Sequence, residues 1–486
     1  MNPRSLLVAL LASACFAPAV HATPTLLAIG SLSGDGHDLS TQTAGPLENG
    51  VAGNLLGGLG SGLAYAGANT FIAVPDRGPN AVAYNPLVDD TASYINRFQT
   101  FNMLLAPNPS AGLPYTLTPT LVATTLLSSS TPLVYGSGAG LGVGSGAPAL
   151  NTASTFYFTG RSDNFDPTKN SLNPNNARLD PEGVRVANDG KSVFVSDEYG
   201  PYVYRYDRAT GQRIQTFTLP ANLAVANLSP VGATEISGNT QGRAANKGME
   251  GLAITPDGKT LVGAMQAPLI QDGGKIIRLI TIDIATGVTH QYAYALTTGT
   301  GVSEIVAINS HEFLVDERDG KGVGDNSSAT AKALYRIDLA GATDVSGLSG
   351  SAILAPFAVP KTLFLDLVAS LTAAGIDPTN IPAKIEGMAF GPDLTVGGVL
   401  EHTLFITNDN DFIGTVTDTN HPDGIPNPNN FYVFGVAAAD LPSFQAQQFV
   451  PAPSTVALLL AGLCLAGALG AWQRRRPGGQ VRRRLS

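Results

Sequence analysis

The strongest constraint on the fold is a unit that recurs along the chain. The stretch "LDPEGVRVANDGKSVFVSDEYGPYVYRYD", Leu179 to Asp207, runs from acidic residues through an apolar strand, an Asn-Asp-Gly turn and a second apolar strand into further acids. Related stretches are "KGMEGLAITPDGKTLVGAMQ", "VSEIVAINSHEFLVDERDG", "KIEGMAFGPDLTVGGVLEHTLFITNDND" and, more loosely, "GSGLAYAGANTFIAVPDRGPN". Apolar residues alternating around turn residues specify short antiparallel strand pairs. The irregular spacing excludes a solenoid of fixed repeat. It fits an all-β propeller, whose blades are separate four-stranded sheets that tolerate insertions between them. The expectation is six blades. A seventh follows if the Ser/Thr/Gly/Pro-rich section from about Pro107 to Ser154, read as a long insertion between the first and second units, contributes strands. Closing the ring removes exposed edges, so the N-terminal strand "TLLAIGSL" should share a blade with the C-terminal strand "FYVFGV". Helical patterning is scarce and is best around Leu363 to Gly375.

Both ends of the chain read as addresses. Residues 1–22 carry Arg4, an apolar run and the small residues of "VHA" before Thr23, the pattern of a cleaved export leader. At the other end, Val456 to Trp472 is an apolar run of 17 residues followed by six arginines, long enough to span a bilayer with a cytoplasmic tail. With Val450-Pro451-Ala452-Pro453 ahead of it, residues 450–486 resemble a PEP-CTERM sorting signal, Ala452 standing where that signal has Glu. The resemblance implies a membrane anchor until processing, and display on the envelope or outside the cell. The exported domain is then residues 23–449.

Cys15 and Cys464 fall in the two end segments, so disulfide and thiol chemistry are excluded from the domain. Arg4 and the six tail arginines leave with those segments, so the domain keeps 21 basic against 37 acidic residues, a net charge of −16. That balance argues against nucleic acid and suits cations.

In an antiparallel pair the start of the first strand lies beside the end of the second. Glu182 therefore stands next to Asp197 and Glu198, and Glu250 next to Gln266. Glu304 stands next to Asp316, Glu317 and Arg318, and Glu386 next to Asn408, Asp409, Asn410 and Asp411. Asp76 and Arg77 occupy the corresponding end of the first unit. Innermost strands surround the channel of a propeller, so these groups converge on one mouth. Carboxylates crowded there are neutralised by raised pKa values unless a cation binds. Oxygen ligands without cysteine favour a hard ion, Ca²⁺ before Mg²⁺ or Mn²⁺. The candidate ligands are Asp76, Asp180, Glu182, Asp197, Glu198, Glu250, Glu317, Glu386, Asp409 and Asp411. Glu182, Glu250 and Glu386 are candidates for ligand or general base. Arg77 and Arg318 either stabilise charge at the reacting centre or hold the carboxylates apart. An acid beside glycine at a strand end is also a common turn-former, and the set carries the reading rather than any one member.

The ordered motifs Asp180-Pro181-Glu182-Gly183, Ser196-Asp197-Glu198-Tyr199-Gly200-Pro201, Met249-Glu250-Gly251-Leu252, Glu317-Arg318-Asp319, Ile385-Glu386-Gly387-Met388 and Asn408-Asp409-Asn410-Asp411-Phe412 resemble the phytase-like family described as having esterase-like activity. The resemblance spans nearly the whole exported domain. It implies a propeller that hydrolyses phosphoric or carboxylic esters at the channel mouth. No G-x-S-x-G elbow occurs, and none of the five histidines after the leader sits in a triad context, which disfavours a serine nucleophile. The competing class is a non-catalytic, Ca²⁺-stabilised surface propeller that grips polysaccharide or protein, including exopolysaccharide. The Tyr-rich strand "YGPYVYRYD" fits either packing or sugar stacking.

Overall fold

The computed structural model describes residues 24–110, 112–136, 142–200 and 202–449. The segments assigned to an export leader (1–22) and a sorting tail (450–486) lie outside the described residues. The domain between them is a closed propeller of five antiparallel blades, not six or seven. The first blade comprises Gly62–Tyr65, Thr70–Val74, Arg97–Pro107 and Tyr115–Leu126. The second comprises Pro181–Val186, Ser192–Asp197, Val203–Asp207 and Arg213–Phe217. The third is Met249–Ile254, Thr260–Met265, Ile276–Asp283 and Thr289–Ala295, and the fourth is Gly301–Ala307, Glu312–Arg318, Lys332–Asp338 and Lys361–Asp366. In the fifth, Lys384–Phe390, Val399–Asp409 and Asn429–Ala437 are completed by the N-terminal strand Thr25–Leu32, pairing Ile29 with Tyr432. The expected ring closure is therefore present.

Each repeated unit supplies the two inner strands of one blade, so the number of visible units equals the number of blades. Part of the presumed insertion is blade: Tyr115–Leu126 is the outermost strand of the first blade. Its Pro119 is tolerated because that side of an outer strand owes no ladder hydrogen bond. The insertion proper follows, and its strands among the described residues are the short pair Ser128–Ser129 and Phe156–Tyr157. The expected helix is half strand as well. Lys361–Asp366 joins the fourth blade, and Asp366 caps the helix Leu367–Ala373 by accepting the Ala369 amide at 2.9 Å. Tyr202, Tyr204 and Tyr206 are buried, with Tyr204 and Tyr206 packed on Phe158, so this strand's aromatics serve the core.

Five hydrophobic clusters fill the five blade-to-blade interfaces. Between the first and second blades, for example, Ile72, Val74 and Phe98 meet Val184, Val193 and Val195. At the axis Arg185 ties blades together: its guanidinium donates to the carbonyls of Leu63 (2.5 Å) and Ile305 (2.8 Å) and pairs with Glu304 at 3.0 Å. Glu304 in turn accepts the Leu252 amide at 3.0 Å, so one buried ion pair engages four blades. At the far end from the acidic strand starts, residues 444–449 cross the ring. The Gln445 amide donates to Ile308, the Gln447 side chain to Val186, and the Gln448 amide to Pro256. Phe444 stacks 4.6 Å from Phe390, and Phe449 lies 5.9 Å from Tyr65. This strap closes the channel floor over a cavity of about 70 Å³.

Removing one partner of a buried ion pair strands the other. Arg185→Met should lower the unfolding free energy by about 3–5 kcal/mol, measured by urea denaturation, and Arg185→Met with Glu304→Gln should recover a large part of that loss. Equal destabilisation in the single and double variants would show that the pair does not join the blades.

Candidate functional site

The Glu-Gly motifs have a geometric cause. In three blades the inner strand slips register where the acid stands, between Pro181 and Val184, Met249 and Gly251, and Ile385 and Met388; in the fourth the slip falls at Ser303, between Val302 and Glu304, and Glu304 turns to Arg185 instead. A bulge re-aims the side chain it carries. The glycines beside three of these acids admit the neighbouring blade. A β-carbon at Gly251 would stand 2.9 Å from the Glu304 backbone, and one at Gly183 would stand 2.7 Å from the Leu252 amide nitrogen. Tight contact at the axis thus brings acids of adjacent blades into one mouth.

Around that mouth the side chains form a chain of alternating charge. Asp180 accepts the Arg77 guanidinium at 2.8 Å and the Arg77 amide at 3.0 Å. Oxygens of Asp180, Glu182 and Glu198 lie within 4.8 Å of one another. Glu198 accepts the Gly248 amide at 2.9 Å, and its carboxyl faces that of Glu250. Glu250 accepts Gln266 Nε2 at 2.8 Å and lies 3.7 Å from Arg318, which is also bonded to Glu386. A second group with oxygens within 4.8 Å joins Asp76, Asp409 and Asp411, and Lys384 reaches Asp409 at 3.0 Å and also bonds Asp411. Asp411 and Phe412 both adopt left-handed backbone, at φ of 53° and 56°, a costly conformation for residues with side chains. Phe412 is fixed there by Tyr94, 5.1 Å away.

Two of the sequence candidates do not join this ring. Asp197 accepts the amides of Asp180 (3.1 Å) and Tyr199 (3.0 Å), so it braces the turn behind the mouth. Glu317 alternates to the opposite face from Asp316. There Lys361, Tyr294 Oη and the amides of Thr297 to Gly299 take it up. Lys384 was not singled out from sequence, although its place directly ahead of Ile385-Glu386-Gly387 sets it across from Asp409. Beside the mouth, Arg77, Thr91, Ser162, Arg178, Tyr199 and Asn246 line a polar cavity of about 260 Å³.

Residues 54–412 match the family model described as esterase-like activity of phytase. The chain belongs to this phytase-like family. A secreted protein of Arthroderma benhamiae is 32% identical over 195 residues, covering 32% of this chain; the chain spans only 37% of that protein's length. Among solved structures, the periplasmic gluconolactonase PpgL of Pseudomonas aeruginosa aligns with 77% of this chain and 88% of its own, at 12% identity and a TM-score of 0.31. The PQQ-bound aldose sugar dehydrogenase of Streptomyces coelicolor aligns with 85% and 95%, at 11% identity and a TM-score of 0.30. Neither likeness bears on chemistry.

In this phytase-like mouth, nine carboxylates (Asp76, Asp180, Glu182, Glu198, Glu250, Asp316, Glu386, Asp409 and Asp411) face three cations, Arg77, Arg318 and Lys384. Glu250 Oε2 and Glu386 Oε2 are buried without a hydrogen-bond partner. An all-oxygen donor set with uncompensated charge and orphaned acceptors fits a hard divalent cation. Burial first, then neighbouring acids, push Glu182, Glu250 and Asp76 well above the carboxylate range. Burial raises Glu198 and Glu386 to about 7 and Asp316 to about 8. For Lys384 burial acts the other way but is outweighed by Asp409 and Asp411, so it stays charged.

Raised carboxyl pKa values mean that the folded chain holds more protons than the unfolded one from the ordinary carboxylate range up to about 7–8. Their contribution to stability is complete at low pH and is lost as pH rises through that window. In chelator, the melting temperature should fall from about pH 5 to about pH 8. Ca²⁺ should raise it more at the upper pH, where ionised carboxylates bind the ion. A melting temperature that climbs across this window in chelator would contradict the crowding of these acids.

Proposed function

We propose that this phytase-like chain is an exported, envelope-associated ester hydrolase that acts on phosphate esters at the acidic mouth with a hard divalent cation, Ca²⁺ before Mg²⁺ or Mn²⁺. The observation that carries this reading is the interleaving of Arg77, Arg318 and Lys384 with nine carboxylates at the rim of a polar cavity. Carboxylates alone repel a phosphate ester, and a cation bound among them would reverse the local sign and supply Lewis acidity.

The protein groups have separable parts in this scheme. Arg318, between Glu250 and Glu386, is placed to orient a phosphoryl oxygen and to stabilise charge developing on it. Glu386, titrating near neutrality, suits the acceptance of a proton from water. Glu182 and Glu250 serve as ligands or as an alternative base. Arg77 holds Asp180 from the side of the polar cavity, which has room for the alcohol portion of the ester.

Export rests on the leader-like N-terminus and on the secreted relative. No helix among the described residues is long and apolar enough to cross a membrane. The tail resembling a PEP-CTERM signal would follow Phe449, which lies beside Tyr65 at the channel floor. A chain anchored from there presents its mouth away from the membrane, towards substrate or exopolysaccharide.

The test is hydrolysis of an aryl phosphate and a short-chain aryl ester by the purified protein, with and without chelator. Activity on the phosphate should require the divalent ion, and Arg318→Met should lower kcat by about 10²–10³-fold. If Ca²⁺ raises the melting temperature while neither ester is cleaved, the propeller is instead a Ca²⁺-stabilised surface module for polysaccharide or protein.

A further inference from the structure

The mouth contains two carboxylate triplets that are alike in composition, Asp180–Glu182–Glu198 and Asp76–Asp409–Asp411. They differ in what already occupies them. In the second, the Lys384 ammonium bonds both Asp409 and Asp411, and pairing of Lys384 with Asp409 across the strands fixes it there. Two of the four remaining oxygens of that triplet are used as well: Asp409 Oδ1 takes the Asp411 amide at 2.7 Å, and Asp76 Oδ1 takes the Gly78 amide at 2.9 Å.

In the first triplet, the cation Arg77 binds Asp180 alone. Glu182 makes no hydrogen bond or ion pair among the described residues. Glu250, 3% exposed, adds a fourth carboxyl beside Glu198 and keeps Oε2 without a hydrogen-bond partner. A buried acceptor with no donor, beside three more carboxyls, is the independent sign of a cation site.

We propose that Lys384 is a built-in counter-ion that fills the Asp76–Asp409–Asp411 triplet, so that the mouth takes one divalent cation, at Asp180, Glu182, Glu198 and Glu250. This rests on reading the mouth as a cation site and sets its stoichiometry. An ammonium bonded to two carboxylates neutralises the charge a second dication needs and occupies its place. The chain therefore carries one fixed and one exchangeable positive charge in one mouth, and a phosphate ester between them would meet both.

Calorimetric titration of the full-length protein with Ca²⁺ near pH 8 tests this directly. The parent should bind one ion. Lys384→Met and the shape-preserving Lys384→Gln should each bind two, Lys384→Arg should stay at one, and Glu182→Gln should abolish binding to the parent site. Lys384→Gln with Glu182→Gln should return to one ion, now in the second triplet. Circular dichroism and melting confirm that each variant is folded. A parent that binds two ions overturns the counter-ion role while leaving the cation reading intact. Folded Lys384→Met and Lys384→Gln that still bind one ion overturn it too. A parent that binds none overturns both.

Discussion

Close contact between the inner strands at the propeller axis governs the rest of the structure. Gly183, Gly251 and Gly387 each lie so near the neighbouring blade that a β-carbon would meet its backbone at under 3 Å. Once the strands approach this closely, the acids standing beside those glycines share one small mouth. Their repulsion is then a consequence of ring geometry rather than of any single pair. Arg77, Arg318 and Lys384 offset part of it, and orphaned oxygens on Glu250 and Glu386 mark the part left over.

Such a centre does not stabilise a protein. Desolvating carboxylates costs several kcal/mol per ion in real interiors, and their partners recover only part of it. The five inter-blade cores and the axial Arg185–Glu304 pair supply the rigidity that keeps the mouth from relaxing apart. The strap at residues 444–449 closes the opposite end, so access to the carboxylates is from the mouth and its side cavity. Left-handed Asp411 and Phe412 store a local cost at the same place. Strain and repulsion concentrated at one mouth are what a binding or reacting centre requires, and they have no other evident use here.

Much of this was legible in the sequence because alternation and turn residues are local signals. The paired strands, the meeting of Glu182, Glu250 and Glu386 at one mouth, and the closure by Thr25–Leu32 all follow from antiparallel geometry. Other features depend on contacts that no local pattern encodes. Tyr115–Leu126 read as insertion because its threonines and Pro119 resemble loop composition, while its partner Arg97–Pro107 alone makes it a strand. The blade count failed because the outer strands share no motif, which left room for a sixth blade that does not exist. Glu317 failed by one residue: period two turns Asp316 inwards and Glu317 to Lys361. Lys384 passed unnoticed because a lysine at a strand start is ordinarily a solvated charge. Only the register with Asp409 gives it a role.

The central claim, that ring geometry builds a hard-cation site at the acidic mouth, is most directly tested by anomalous diffraction from crystals of the protein soaked with Tb³⁺. A peak should stand about 2.3–2.6 Å from carboxylate oxygens of Asp180, Glu182 and Glu198, with Glu250 Oε2 turned towards it. A map with lanthanide peaks elsewhere on the surface and none at the mouth would contradict it.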